Sequence, residues 1–161
     1  MSVSAMILRN YRDPAGVVSH WLGAPMHEGR SLALLMAGCA LICVSVVPNV
    51  VVNGTAGPTE ARIGAAIFAW LFIAPLAFYL IAIVVQLIRR ALGRPGSGYE
   101  TRLVLFWTVL AAAPLWLLNG AGMVMPIRAV TLTFGFIAFT GFFLLAIQNF
   151  RAMTRALAPA P

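Results

Sequence analysis

The chain contains no lysine, two histidines, two cysteines and only four acids, Asp13, Glu28, Glu60 and Glu100. Each shortage excludes something. Charged residues are 9% of the sequence, against about a quarter in a soluble globular domain, which argues against a fold that lives in water. No long apolar run holds an Asp, Glu, Lys, Arg or His in its interior. Intramembrane ionisable groups mark proton relays and coupled carriers, so their lack speaks against a pump. The sequence also has no nucleophile elbow, phosphate loop or metalloprotease helix. We therefore expect no enzyme, no catalytic residue and no cofactor.

What the chain does have is hydrocarbon: 61% hydrophobic residues and a mean hydropathy of +0.94. Two uncharged runs, 63–88 and 103–118, flank a polar stretch carrying Arg89, Arg90, Arg94, Glu100 and Arg102. Either run approaches or exceeds the roughly 20 residues needed to cross a hydrocarbon core. Together they form a membrane hairpin. Further spans are expected at about 31–52 and 127–150, and the third ends near 119. The fold class is then all-α, a polytopic membrane protein with a four-helix bundle, and 161 residues hold it as a single domain, 1–161. The first span is expected to fray at Pro48 and Asn49, residues 119–125 to turn within or near the membrane, and the tail 151–161 to end in a disordered Ala-Pro repeat.

Residues 1–30 carry no apolar h-region ahead of a small-residue cleavage site, so no cleavable signal is expected. Asp13-Pro14 reads as a helix start, and Val17, Val18, Trp21 and Leu22 gather on one face. A short amphipathic helix over about 14–23 should lie in the membrane interface. With the N-terminus inside and four spans, nine of the 11 arginines fall inside: Arg9, Arg12, Arg30, Arg89, Arg90, Arg94, Arg102, Arg151 and Arg155. Only Arg62 and Arg128 fall outside. Positive charge in short loops is retained on the cytoplasmic side, so both termini are expected there. The pI of about 11.1 would suit nucleic acid, but the arginines sit at the ends of apolar runs, where phospholipid head groups are the partner.

Cys39 and Cys43 stand one turn apart on the first span with Met36 below, a conceivable soft-metal pair but more simply packing residues. His20 and His27, with Pro25 between them, have no partner motif. Pro75 and Pro114 sit near the middles of the second and third spans in the similar settings Ala-Pro-Leu-Ala and Ala-Pro-Leu-Trp. They are expected to kink their helices, either shaping the bundle or forming a remnant inverted repeat around a midplane site. Ala61, Ala65 and Ala69, Ala33 and Ala37, and Thr131 and Gly135 follow small-xxx-small spacing, which suits helix contacts within one chain or in a homo-oligomer.

The stretch Arg-Arg-Ala-Leu-Gly-Arg-Pro-Gly-Ser-Gly-Tyr-Glu-Thr-Arg from Arg89, with the apolar run after it and Trp70-Leu-Phe-Ile-Ala-Pro-Leu before it, resembles small alphaproteobacterial membrane proteins of the Yip family, relatives of Rab-interacting membrane proteins. The likeness covers about residues 10–150, with four spans where eukaryotic members have five. It implies a protein that organises or binds other membrane proteins. The function expected is non-enzymatic: an accessory subunit or scaffold of a larger complex in the bacterial inner membrane. Candidate contact residues are Phe139, Phe142 and Phe143 on the Phe-rich fourth span and Arg89, Arg90 and Arg94 in the basic loop. A small uncoupled transporter or channel is the alternative, and a copper-handling protein the third reading.

Overall fold

The structure, a computed structural model, describes residues 2–55 and 57–158. It is helical, with no strand among the described residues. Two short helices, α1 (Val3–Asn10) and α2 (Pro14–Leu22), precede the first span, α3 (Glu28–Asn53). The second span is α4 (Thr59–Phe68), one π-helical turn (Ala69–Ile73) and α5 (Ala74–Ala91). The third is α6 (Gly98–Ala111) followed by α7 (Ala113–Met123), and the fourth is α8 (Arg128–Ala156). Four helical stretches are thus long and apolar enough to cross a membrane, and the chain is a multi-pass membrane protein.

The two mid-span prolines act differently. Pro75 has no N–H and its ring crowds the carbonyl four residues back, and the π-turn that ends at Ile73 widens the helix just there. Pro114 instead breaks its helix: Leu115 and Trp116 both donate to the Ala112 carbonyl, and the chain restarts as α7. Pro75 is buried and Pro114 exposed. The two breaks therefore stand in unlike surroundings, and the match of a few residues around them does not extend to a paired site.

The third span is the axis of the bundle. α3, α5 and α8 all pack on α6, and 72% of the most apolar window of Gly98–Met123 is buried, against 33%, 17% and 11% in the other three spans. Residues 103–113 are all buried. This span is also the least apolar, with hydropathy 1.7. A helix surrounded by protein can carry Thr101, Trp107 and Thr108 where lipid-facing helices cannot, since Gln86, Asn10 and Asn149 supply their partners.

Close approach comes from glycines rather than from the small-residue series read in the sequence. Gly38 faces Val109 and the Leu110 backbone, and a Cβ on Gly120 would lie 2.2 Å from the Ser45 carbonyl oxygen. Ala33, Ala37, Ala61 and Ala65 are exposed, whereas Thr131 donates to the Gly122 carbonyl at 3.0 Å.

Several boundaries differ from the sequence reading. α3 ends at Asn53, within a residue of the expected end, but it is not frayed at Pro48 and Asn49: the Asn53 amide donates to Asn49 and to the Met123 carbonyl, so one lost hydrogen bond does not open it. α6 begins at Gly98 because Ser97 and Glu100 form a capping box. Residues 119–123 are helical, and the turn comes at 124–127. α8 continues past Phe150 because Ala152 and Met153 pack against Val18 and Val104; the end of the tail, 159–161, lies outside the described residues. α2 turns Val17 and Val18 onto α6 and α8, so the face read as meeting the interface meets protein. The chain ahead of it forms a further helix, α1.

Replacing Gly120 with alanine should force α7 from α3 and destabilise the bundle by about 1–3 kcal/mol, read as a lower unfolding midpoint in mild detergent; an unchanged midpoint would show that the contact yields freely.

Candidate functional site

One end of the molecule gathers most of its polar chemistry. The N-terminal helices, the α5–α6 loop and the C-terminal turns of α8 meet there: Glu28 pairs with Arg102, Gln86 donates to the Gly96 carbonyl at 3.1 Å, and Arg89 reaches Thr154. Thr101 donates to the Gln86 side chain.

The α1–α2 hairpin is keyed to the break in the third span. Because Leu115 bonds to Ala112, the Ala111 carbonyl is released from the helix ladder, and the Tyr11 hydroxyl donates to it at 2.8 Å. Partial burial raises the Tyr11 pKa, which keeps the phenol a donor at any ordinary pH. Next to it, Trp107 Nε1 donates to Asn10 Oδ1 at 2.9 Å, and Asn149 Nδ2 donates to Thr108 Oγ1 at 2.9 Å, tying α1 and α8 to consecutive residues of α6. The turn itself is held by Asp13, which accepts from the Gly16 N–H at 2.8 Å and pairs with Arg9 at 2.8 Å. The Gly16 bond first, then Arg9, hold the Asp13 carboxyl below its usual range.

The second feature of this end is a groove. α5 and α8 both pack on α6 while their own backbones stay apart, and the space between them is about 520 Å³, floored by Leu105 and walled by Phe78, Ile81, Val85, Phe142, Phe143, Ala146, Ile147 and Phe150. Arg89, Arg94 and Arg151 stand at its mouth. Arg89 is 8% exposed, with Nη2 donating to the Pro95 carbonyl at 2.7 Å, Nη1 to Thr154 Oγ1 at 3.3 Å, and its guanidinium 5.4 Å from the centre of the Phe150 ring. Arg94 is set by the helix end. Gly93 takes a left-handed φ of 63°, its N–H bonds to the Arg90 carbonyl and the Arg94 N–H to the Arg89 carbonyl, a Schellman closure that turns the chain back over α5.

The residues picked from the sequence thus divide. Arg89 and Arg94 join the groove with Arg151, which the sequence reading left in the tail, while Arg90 lines a small hollow on another side with Gln86 and Arg102. Phe139 and Phe143 are 57% and 49% exposed and pack on each other, but Phe142 turns inward against the core. Leu132, Phe136, Phe139, Phe143 and Ile147 make one outward stripe along α8. Cys39 and Cys43 are buried, Cys39 among Leu35, Leu105 and Phe106. His20 lies beside Trp21 and His27 begins α3, on separate elements. No group of three or more His, Cys, Asp or Glu able to hold a metal occurs among the described residues.

Comparison with protein-family models, curated proteins and solved structures finds no match to this chain.

Two outcomes test the hairpin. Tyr11→Phe strands the Ala111 carbonyl and should cost about 1–3 kcal/mol of stability, measured by unfolding in detergent. A carboxyl with a lowered pKa stabilises fully above its unfolded value, near 3.9, and the contribution fades as pH falls through the lowered one. The hairpin should therefore stay docked down to about pH 4 and loosen only below it, as followed by tryptophan emission. Asp13→Asn should flatten that acid transition.

Proposed function

We propose that this chain is a non-enzymatic protein of the bacterial inner membrane that works by contact, as an accessory subunit or scaffold of a larger membrane complex. What carries the reading is the use to which the structure puts its polar groups. Glu28 is paired with Arg102, Glu100 closes the capping box of α6 and Asp13 caps α2, so three of the four acids serve helix ends and ion pairs. The bundle axis, where a conduction path would run, is filled by α6 with Phe106 and Trp107 at 0% and 1% exposure. Function then falls to the outer faces. The α8 stripe from Leu132 to Ile147 presents large side chains at helical spacing, a surface suited to packing against another span as well as to lipid. The resemblance of residues 10–150 to the Yip family points the same way, toward a partner among membrane proteins, or toward a second copy of the chain.

The cytoplasmic placement of both termini rests on the arginines. Nine of 11 belong to the N-terminal segment, the α5–α6 loop and the C-terminal turns; the loop, the start of α3 and the C-terminal turns share one end of the bundle with α2, and Arg9 and Arg12 sit at the α1–α2 turn further along the third span. Fusions test it: a fluorescent protein at either terminus should be bright, and a phosphatase that needs the periplasm inactive.

The contact itself is tested by Phe136→Ala, Phe139→Ala and Phe143→Ala together. Phe142 is left in place because it supports the core. In a native gel of gently solubilised membranes, the wild-type chain should migrate in a complex of defined mass and the triple variant alone. A complex of unchanged mass would remove this face from the proposal.

A further inference from the structure

We propose that the groove between α5 and α8 binds one anionic glycerophospholipid, with an acyl chain along the groove and the phosphate between Arg94 and Arg151. This does not rest on the contact reading, and either stands if the other fails.

Length comes first. From Phe78 to Arg89 on α5, and from Phe142 to Arg151 on α8, the walls extend about 14–17 Å at about 1.5 Å per residue. That is about half of a hydrocarbon core of roughly 30 Å, the depth of one leaflet. The volume of about 520 Å³ lies in the range of ligand pockets, about 300–1,000 Å³. The groove opens sideways to the bilayer because the backbones of α5 and α8 stay apart and Arg89 bridges them at the polar end, so a lipid can enter without the bundle opening.

Charge comes second. The lining holds three arginines and no acid. The ion pairs among the described residues are Arg9 with Asp13 and Arg102 with Glu28; the field of Glu100 reaches Arg89, while Arg94 and Arg151 are in neither pair. Like charges held together are unfavourable, and a phosphate between them relieves the repulsion while accepting charge-assisted hydrogen bonds. The three have different parts. Arg89 is committed to Pro95, Thr154 and the Phe150 ring and supplies fixed positive potential behind the mouth. Arg94 and Arg151 are exposed and supply the donors. Below them the walls are aliphatic and aromatic, which suits an acyl chain and gives a soluble phosphate nothing to bind. Basic pockets between spans on the cytoplasmic side are where anionic head groups settle, and the arginine count assigns this mouth to that side.

The test is native mass spectrometry of the purified full chain in mild detergent, titrated with phosphatidylglycerol or with phosphatidylcholine of the same acyl chains. One phosphatidylglycerol per chain should bind about tenfold more tightly than phosphatidylcholine. Arg94→Gln with Arg151→Gln, both at exposed positions, should erase that preference and leave weak binding of either lipid. Ala146→Phe, which fills the groove without changing charge, should abolish binding of both. Millimolar inorganic phosphate should not displace the lipid. A preference that survives the double arginine change, binding that survives Ala146→Phe, or displacement by phosphate alone would each overturn the proposal.

Discussion

In hydrocarbon, a backbone carbonyl must find its donor within the protein, and this bundle is arranged around one that its own helix gives up. Pro114 removes an N–H from the middle of the third span, the following amides draw back to Ala112, and the Ala111 carbonyl is left over. The donor comes from outside the four spans, from Tyr11 in the turn between α1 and α2. The N-terminal hairpin is thereby a structural part of the membrane domain. Asn10 on Trp107, together with Met6 and Val17 against Leu103 and Leu110, secures it along the same helix.

That arrangement makes sense of an inverted polarity in the bundle. The most hydrophobic spans lie outside, barely buried by protein, and the least hydrophobic lies inside. Four helices around a shared axis would leave a central seam, whereas three around a fourth leave none. The fourth side of α6 is closed by α2 at one end and by α3 and α8 at the other, where they pack on α7. The cost of this geometry is that α5 and α8, both held by α6, are kept apart from each other. The groove between them follows from the choice of axis.

The four spans were legible because length and hydropathy are local properties, and Asp13-Pro14 announced α2 because capping chemistry is local too. The start of α6 was equally available in Ser97 and Glu100, but an uninterrupted apolar run is the louder signal and points to Leu103. Other features had little local signature. α1 is eight residues whose one local cue is the Ser2 cap, and its docking through Met6 on α6 lies far off in the sequence. Nor does the order of arginines in the loop show that Arg89 is buried while Arg90 is exposed. Adjacent helical residues point about 100° apart, and which one faces the bundle depends on the position of α8.

Arg89 also shows why the loop is built of arginine. A lysine at an 8% exposed position tends to lose its proton, whereas a guanidinium stays charged and offers donors in several directions. Here those directions are used: one amine holds the Pro95 carbonyl in its own loop, another the hydroxyl of Thr154 on α8, and the flat face rests on Phe150. A single cation therefore spans the gap at the one level where α5 and the end of α8 would otherwise be joined only through α6. Substituting lysine would keep the charge in water but offer a point where the structure needs a fork and a plane. The width of the groove mouth depends on that side chain, whereas the position of Arg94 is set by backbone, through the Schellman bond to the Arg89 carbonyl.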